Sequence, residues 1–265
     1  MIKVVVAGAA GRMGQESCRA VWRSQDMVLA GAVDTGRDGE SLGKVAGIED
    51  VDLKLFGDLE TALKELKPDI LVDFTNPEVV FDNVKLTLNN NVRPVVGTTG
   101  MSTEQIEEIK NLAKDKGLSG LIAPNFAIGA LLMIKFATMA AKHFPHVEII
   151  ELHHDQKVDA PSGTAIKTAE ALAEVRGNLR QGLPTEYEEI EGVRGGDFEG
   201  MRVHSVRLPG HVAHQEVIFG GTGQTLTIRH DSISRESFMP GLLMGIRKVI
   251  DSNELVYGLE NLIFE

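Results

Sequence analysis

The sequence predicts an α/β protein: a doubly wound parallel sheet in the first half, followed by a second, strand-rich α/β domain. Three observations carry this expectation. From Ile2 to Ala123 short β-rich apolar runs alternate with amphipathic stretches, the pattern of parallel strands joined by right-handed helical crossovers. A glycine-rich turn joins the first apolar run to the first helical stretch. Beyond Pro124 the alternation gives way to a long apolar helix and then to several strands separated by turn signals.

Residues 2–7 are an apolar run of strand length that stops at a glycine, so they read as a buried strand. Residues 12–23 carry apolar side chains at helical spacing, and residues 28–33 supply the next strand. The alternation continues through helical stretches at 59–66, 78–88 and 103–114 and strands at 70–74, 95–97 and 118–122. After Pro124 a helix is expected from about 128 to 142, then a strand at 147–152, a polar loop, and a helix from about 163 to 175. Residues 177–200, rich in Gly and Glu, read as a loop leading into strands. Runs at 202–208, 214–219 and 224–229 alternate, and Pro209-Gly210 and the glycines at 220, 221 and 223 separate them. Helical spacing returns at about 234–249, and this last helix is expected to pack back on the first domain.

The chain of 265 residues is 43% hydrophobic and 25% charged, the balance of a folded soluble protein. Its formal charge of −11 argues against a general nucleic-acid binder, because phosphate attraction needs clustered Lys and Arg. A single cysteine, Cys18, makes no intramolecular disulfide, and no Cys-based metal site is expected. The apolar start breaks at Gly8, too early for a signal segment, and residues 126–141 are interrupted by Lys135 and fall short of a membrane span. A cytoplasmic protein with no membrane partner and no nucleic-acid partner is the expectation.

The first strand runs into Gly8-Ala9-Ala10-Gly11-Arg12-Met13-Gly14. Glycines at such a turn permit close backbone approach to a pyrophosphate, and the helix that follows turns its N–H groups and positive dipole end toward the phosphates. The second strand ends in Val33-Asp34, about where an acid would bond the adenosine ribose of a dinucleotide. Together these features make the first domain Rossmann-like. Arg37 follows closely and either holds a 2′-phosphate or lies in solvent, so both NADH and NADPH stay open. Two further turns, Gly97-Thr98-Thr99-Gly100 and Ala123-Pro124-Asn125-Phe126, lie at the carboxyl ends of expected strands, the edge where open α/β sheets bind ligands.

Residues 151–165, Glu-Leu-His-His-Asp-Gln-Lys-Val-Asp-Ala-Pro-Ser-Gly-Thr-Ala, are the most unusual stretch. Adjacent strand residues face opposite ways, so His153 and His154 suit acid-base or anion-binding work better than chelation of one metal. Lys157 adds a cation, and the helix start at Gly163 and Thr164 offers N–H groups as an anion nest. Ordinary capping by Ser162 is the bland alternative.

Gly11-Arg12-Met13-Gly14, Val72-Asp73-Phe74-Thr75, the turn at 97–100, Pro124-Asn125-Phe126 and the stretch from His153 to Ala165 occur in the order seen in 4-hydroxy-tetrahydrodipicolinate reductases (dihydrodipicolinate reductases). The chain resembles that family over essentially its whole length, and the last motif is the family's hallmark. The resemblance implies a cytoplasmic homotetramer that reduces the dehydrated form of 4-hydroxy-tetrahydrodipicolinate, a small dicarboxylate, with NADH or NADPH, in lysine and diaminopimelate biosynthesis. It implies a dinucleotide-binding domain at 1–125 and 234–265, and a substrate-binding and tetramerisation domain of mixed sheet at 126–233. By matching positions, Gly8, Ala9, Ala10, Gly11, Arg12, Met13, Asp34, Gly97, Thr98, Thr99, Ala123, Pro124, Asn125 and Phe126 line the cofactor. His153 is then the proton donor or acceptor and Lys157 a proton donor, with His154, Gly163 and Thr164 on the substrate. No metal is implied. One departure is Ala127, where many members carry Ser, which puts in doubt any contact needing that hydroxyl.

The remaining histidines, at 143, 146, 204, 211, 214 and 230, show no ligand spacing and are expected to be structural or exposed. Ser162 sits in no nucleophile elbow. Glu186, Glu188, Glu189 and Glu191 read as a solvated loop face.

Overall fold

A computed structural model describes residues 1–177 and 179–264. The chain forms two compact units, Met1–Phe126 with Phe238–Glu265, and Ala127–Ser237.

The first unit is built on a seven-stranded sheet. Its strands are β1 (Ile2–Ala7), β2 (Met27–Val33), β3 (Leu55–Phe56), β4 (Ile70–Asp73), β5 (Arg93–Val96), β6 (Gly120–Ile122) and, from the C-terminal segment, β12 (Leu255–Tyr257). They lie in the order β12-β6-β5-β4-β1-β2-β3, and every pairing is parallel. The order reverses between β1 and β4, so the chain winds outward from that point in both directions. Five Val and Ile side chains of β1 and β4, namely Val4, Val5, Val6, Ile70 and Val72, are fully buried, as strands covered on both faces require.

The crossovers are α1 (Arg12–Arg23), α2 (Leu42–Ala46), α3 (Leu59–Leu66), α4 (Val80–Asn89) and α5 (Thr103–Lys116). α1 and α3 have the bounds that periodicity predicts. α3 starts where the Asp58 carboxylate accepts from Thr61 N–H, and α5 where Ser102 and Gln105 cap each other reciprocally. α5 stops at Gly117, whose φ of 64° is the left-handed conformation of a helix end. The short elements α2, β3, β12 and a terminal turn of helix, α9 (Glu260–Ile263), escape the sequence reading, because two to five residues carry no measurable period. α8 (Met239–Asp251) packs against this unit. Its Gly241 and Gly245 leave no room for a side chain, since an added Cβ would stand 2.0 Å from the Phe126 carbonyl oxygen and 2.7 Å from Leu121 respectively. Arg247 of α8 also pairs with Asp26, 2.7 Å apart.

The second unit contains α6 (Ile128–Ala141), β7 (His146–His153), α7 (Gly163–Arg176), β8 (Gly196–Phe198), β9 (Met201–Arg207), β10 (Ala213–Gly221) and β11 (Gln224–Ser232). The strand order is β11-β10-β7-β9-β8. β7 runs parallel to β9 and antiparallel to β10, so the sheet is mixed. Alternate residues of β7, β9 and β10, namely Val147, Ile149, Met201, Val203, Val217 and Phe219, meet Met133 and Ala137 of α6 and Ala165, Ala169 and Leu172 of α7. Burial alternates along β7 and β10 accordingly. Among the described residues, no helix is long and apolar enough to cross a membrane.

Candidate active site

The glycine turn sits at the carboxyl end of β1, beside the point where strand order reverses. Gly8 has φ of +74°, and a Cβ there would stand 2.3 Å from the Phe74 carbonyl oxygen. At Gly14, one turn into α1, a Cβ would stand 2.0 Å from the Gly8 carbonyl oxygen. Both positions therefore exclude any side chain, and the loop folds tightly over the start of α1. The helix begins at Gly11 with no side-chain cap. Its first N–H groups are thus left for an external acceptor, and the dipole end favours an anion there. Asp34, at the end of β2, accepts from Ala10 N–H at 3.0 Å and from Gly36 N–H at 3.3 Å. The acid expected at a ribose is in this way tied to the glycine turn. Arg37 is half exposed and pairs with Glu40 at 3.3 Å.

The turn after β5 is held from below by Asp73, a fully buried carboxylate at the end of β4. It accepts from Thr75 N–H (3.0 Å) and hydroxyl (2.7 Å), from Asn83 (3.0 Å) and from the Thr98 hydroxyl (2.6 Å). The Phe74 ring fills the space where Gly97 has no side chain, only 2.1 Å from an added Cβ, and meets Phe126 edge-on at 6.0 Å. Of the residues expected along a cofactor, Ala9, Thr98, Ala123 and Phe126 have buried side chains, so they shape the edge from inside. Gly11, Arg12, Thr99 and Pro124 are exposed, while Met13, Gly97 and Asn125 are half-buried. Ala127 is the first boundary residue of α6 and supplies no side-chain cap, where a serine would have carried a capping hydroxyl. Sequence reading quoted Asp73 within a motif but missed its organising role. Its signal was a charged residue at the end of an otherwise apolar strand.

In the second unit the helix-covered sheet face changes from apolar to polar toward the carboxyl end of β7. After Val147 and Ile149 come Glu151 and His153 on the same face, with Ser205 and Arg207 of parallel β9 in register beside them. Glu151 is fully buried. It accepts two bonds from Arg207, Nη2 to Oε1 at 2.7 Å and Nη1 to Oε2 at 2.9 Å, and a close contact from Nδ1 of His153. Burial alone would raise its pKa, but the hydrogen bonds from His153, Arg207 and Ser205 outweigh it and bring it down to about 2. Glu151 is therefore ionised at neutral pH and can only accept, so Nδ1 of His153 carries the proton. In the neutral ring Nε2 is then the acceptor nitrogen. Neither Glu151 nor Arg207 was assigned a role from sequence. Glu151 could have been found at two residues before His153, on the same strand face, whereas Arg207 lies 54 residues beyond His153 and only the parallel pairing brings it in.

The loop after β7 returns to this cluster. Arg207 Nη2 donates to the Asp159 carbonyl at 2.8 Å, and Lys157 Nζ lies 2.7 and 2.8 Å from the Asp159 carboxylate oxygens. The hydrogen bond from Lys157 holds the Asp159 carboxyl below its usual range. His154 accepts the Lys157 N–H at its carbonyl, 3.2 Å away. Ser162 caps α7 by accepting from Ala165 N–H at 3.2 Å, as sequence reading allowed. Gly163 is exposed, and a Cβ there would meet nothing within 4 Å. The helix start thus opens outward beside the loop that carries Lys157.

Of the other histidines, His204 pairs with Glu148 at 2.8 Å and His214 with Asp231 at 2.6 Å. Among the described residues no group of His, Cys, Asp and Glu is arranged to hold a metal ion. Cys18 is buried, and desolvation pushes its thiol up to about 12, where it is unreactive. A cavity of about 360 Å³ lined by Glu148, Gln181 and Arg194 lies at the amino end of β7, about 23 Å along the strand from His153. Its arginine is already paired with Glu148 and Glu186.

Two family models cover nearly the whole chain: dihydrodipicolinate reductase, N-terminus, at residues 2–126, and dihydrodipicolinate reductase, C-terminus, at residues 129–263. A 4-hydroxy-tetrahydrodipicolinate reductase of Desulfitobacterium hafniense (strain DSM 10664 / DCB-2) is 54% identical over 263 residues, 99% of this chain and 98% of its own. One from Listeria innocua is 53% identical over 262 residues, 99% of this chain and 100% of its own. A dipicolinate-bound dihydrodipicolinate reductase from Paenisporosarcina sp. TG-14 matches with a TM-score of 0.89 at 48% identity, over 99% of this chain and 100% of that one.

Proposed function

The chain belongs to the dihydrodipicolinate reductase family, and from that membership we propose that it reduces the dehydrated form of 4-hydroxy-tetrahydrodipicolinate to tetrahydrodipicolinate, with NADH or NADPH, in lysine and diaminopimelate biosynthesis. The reading is carried by one observation: a histidine whose Nδ1 is held by a buried, ionised glutamate ends the strand that leads into the loop of a lysine and an open helix start.

The nucleotide fits the first unit. Side chains are excluded at Gly8 and Gly14, and the uncapped start of α1 presents N–H groups to a pyrophosphate. Gly8, Ala9, Ala10, Gly11, Arg12 and Met13 hold the phosphates, and Asp34 takes a ribose hydroxyl. The turns Gly97, Thr98, Thr99 and Ala123, Pro124, Asn125, Phe126 line the remainder. When bound, the reduced nicotinamide supplies the hydride, which the conjugated C=N–C=C system of the substrate accepts.

The chain's own residues bind the substrate and move the proton. The relative from Paenisporosarcina holds dipicolinate, a planar dicarboxylate, which supports a dicarboxylate here. Its charge needs cationic or N–H partners to leave water cheaply. The start of α7 at Gly163 and Thr164, with His154, clamps one carboxylate. Nε2 of His153 or the ammonium of Lys157 delivers the proton to the product enamine; His153 is bonded to Glu151 directly, and the loop of Lys157 is linked to it through Arg207. The protein works in the cytoplasm as a homotetramer. Support for assembly comes from the sheet face of the second unit opposite α6 and α7, where Ile150, Leu152, Val206 and Ile218 are only half-buried.

Steady oxidation of NADH or NADPH, followed at 340 nm (the absorbance of the reduced nicotinamide) with freshly generated substrate, tests the reading. Sustained consumption that stops when substrate is withheld is expected. No consumption with either nucleotide, by protein shown to be folded, would overturn it.

A further inference from the structure

We infer that Glu151 and Arg207 are positioning residues for the proton step: together they fix His153 in its Nδ1–H form and anchor the loop that carries Lys157. This rests on the reading of His153 as a proton carrier.

The first argument is one of cost. A buried carboxylate-guanidinium pair contributes little net stability compared with apolar side chains of similar volume. The positions before Glu151 on the same face, Val147 and Ile149, are apolar and fully packed. Stability therefore does not explain why this face turns charged at its last two positions. Orientation of an imidazole does, because an ionised acceptor at Nδ1 selects one tautomer and one ring plane.

The second argument is charge arithmetic. A lone buried carboxylate would be an uncompensated charge beside the His153 ring. Arg207 cancels that charge with two bonds to Glu151, at 2.7 and 2.9 Å, so the carboxylate orients the ring as part of a balanced pair. Arg207 also keeps the proton off Glu151 itself.

Connectivity is the third argument. Arg207 Nη2 donates to the Asp159 carbonyl as well as to Glu151, and Asp159 holds Lys157. Glu151 thus anchors both proton-handling side chains, His153 directly and the loop of Lys157 through the guanidinium. Gln215 of β10, opposite Glu151, spends its amide on Thr168 of α7 at 2.8 Å, so the helix that begins at Gly163 is pinned to the same polar layer.

The experiment combines histidine 15N chemical shifts with kinetics. The signal of His153, identified by its loss in His153→Asn, is expected in the wild-type protein as Nδ1 protonated and Nε2 bare when the ring is neutral. Glu151→Gln should shift that ring toward a mixture of tautomers and lower kcat roughly a hundredfold, between the effect of an outer orienting partner and that of a triad carboxylate. KM for NADH should stay within about twofold, as for loss of an interaction outside cofactor binding. Arg207→Lys, which keeps the charge but not the fork, should lower kcat less than Arg207→Met. A neutral wild-type His153 protonated on Nε2 would overturn the inference without recourse to any variant. So would a Glu151→Gln protein with altered tautomer but wild-type kcat, provided His153→Ala is impaired. If His153→Ala itself keeps wild-type kcat, the proton-carrier reading has failed, whatever the tautomer shows, and this inference falls with it.

Discussion

Lys157 is held by both carboxylate oxygens of Asp159, so a substrate carboxylate meeting this ammonium would have to share it or draw it away. If the same ammonium delivers a proton, Lys157→Met should lower kcat by about two to four orders of magnitude, the usual size of a general-acid contribution. NADH binding by direct titration should stay nearly unchanged. His153→Ala should also act mainly on kcat, whereas His154→Ala should raise KM for the substrate more than it lowers kcat. Normal turnover in both Lys157→Met and His153→Ala would remove the acid-base site while leaving the reductase assignment intact. Asp34 gives a second contrast at this scale. Its carboxylate already accepts from Ala10 and Gly36, and a 2′-phosphate would be repelled by it. Asp34→Ala is therefore expected to weaken NADH more than NADPH in fluorescence titrations, and an equal loss of both would place the ribose elsewhere.

Elements are set here by very local chemistry, and the glycine turn shows how tightly. Gly14 lies inside α1, where alanine would ordinarily favour the helix by roughly 1 kcal/mol. An alanine at this position instead puts its methyl 2.0 Å from the Gly8 carbonyl oxygen, a separation no packed atoms tolerate. Gly14→Ala should therefore push the turn off α1, with dinucleotide binding weakened at least tenfold and the melting temperature lowered by several degrees, on the order of 1–3 kcal/mol of strain. A variant that melts higher and binds NADH normally would show that the turn relaxes freely. The same logic made α1 and α3 readable to the residue, since caps, glycines and helical spacing agree. β7 was readable as a strand for a similar reason, but the pairing of its last turn of polar residues with β9 was not.

For the whole molecule the buried Glu151 sets an acid limit. Its pKa falls from 4.5 to about 2 on folding, so the stabilisation is fully present above 4.5 and is lost as pH drops through the window down to about 2. The loss amounts to about 3 kcal/mol. Urea midpoints measured between pH 6 and pH 2.5 should fall, and Glu151→Gln should flatten that part of the profile. An unchanged slope in the variant would assign acid lability to other carboxylates. Assembly is tested at the same scale. Sedimentation should give a tetramer of the 28.7 kDa chain, and Ile150→Asp, on the half-buried sheet face, should shift it toward smaller species.

The sequence by itself determined what depends on neighbours along the chain. Strand-helix alternation set the parallel sheet, glycine spacing set the turn into α1, and the run from His153 to Ala165 set the family resemblance. These are interactions across a few residues, where periodicity, capping and turn geometry act directly. The tertiary structure decided what depends on register between distant strands. Only the parallel pairing of β7 with β9 brings Arg207 beside His153, and only the parallel pairing of β4 with β5 gives Asp73 to Thr98. In both places a buried carboxylate completes a local set of partners, Thr75 for Asp73 and His153 for Glu151, with one from a segment that local sequence does not connect. Its physical demand, that a buried charge be fully hydrogen-bonded, is met only when the whole sheet has formed.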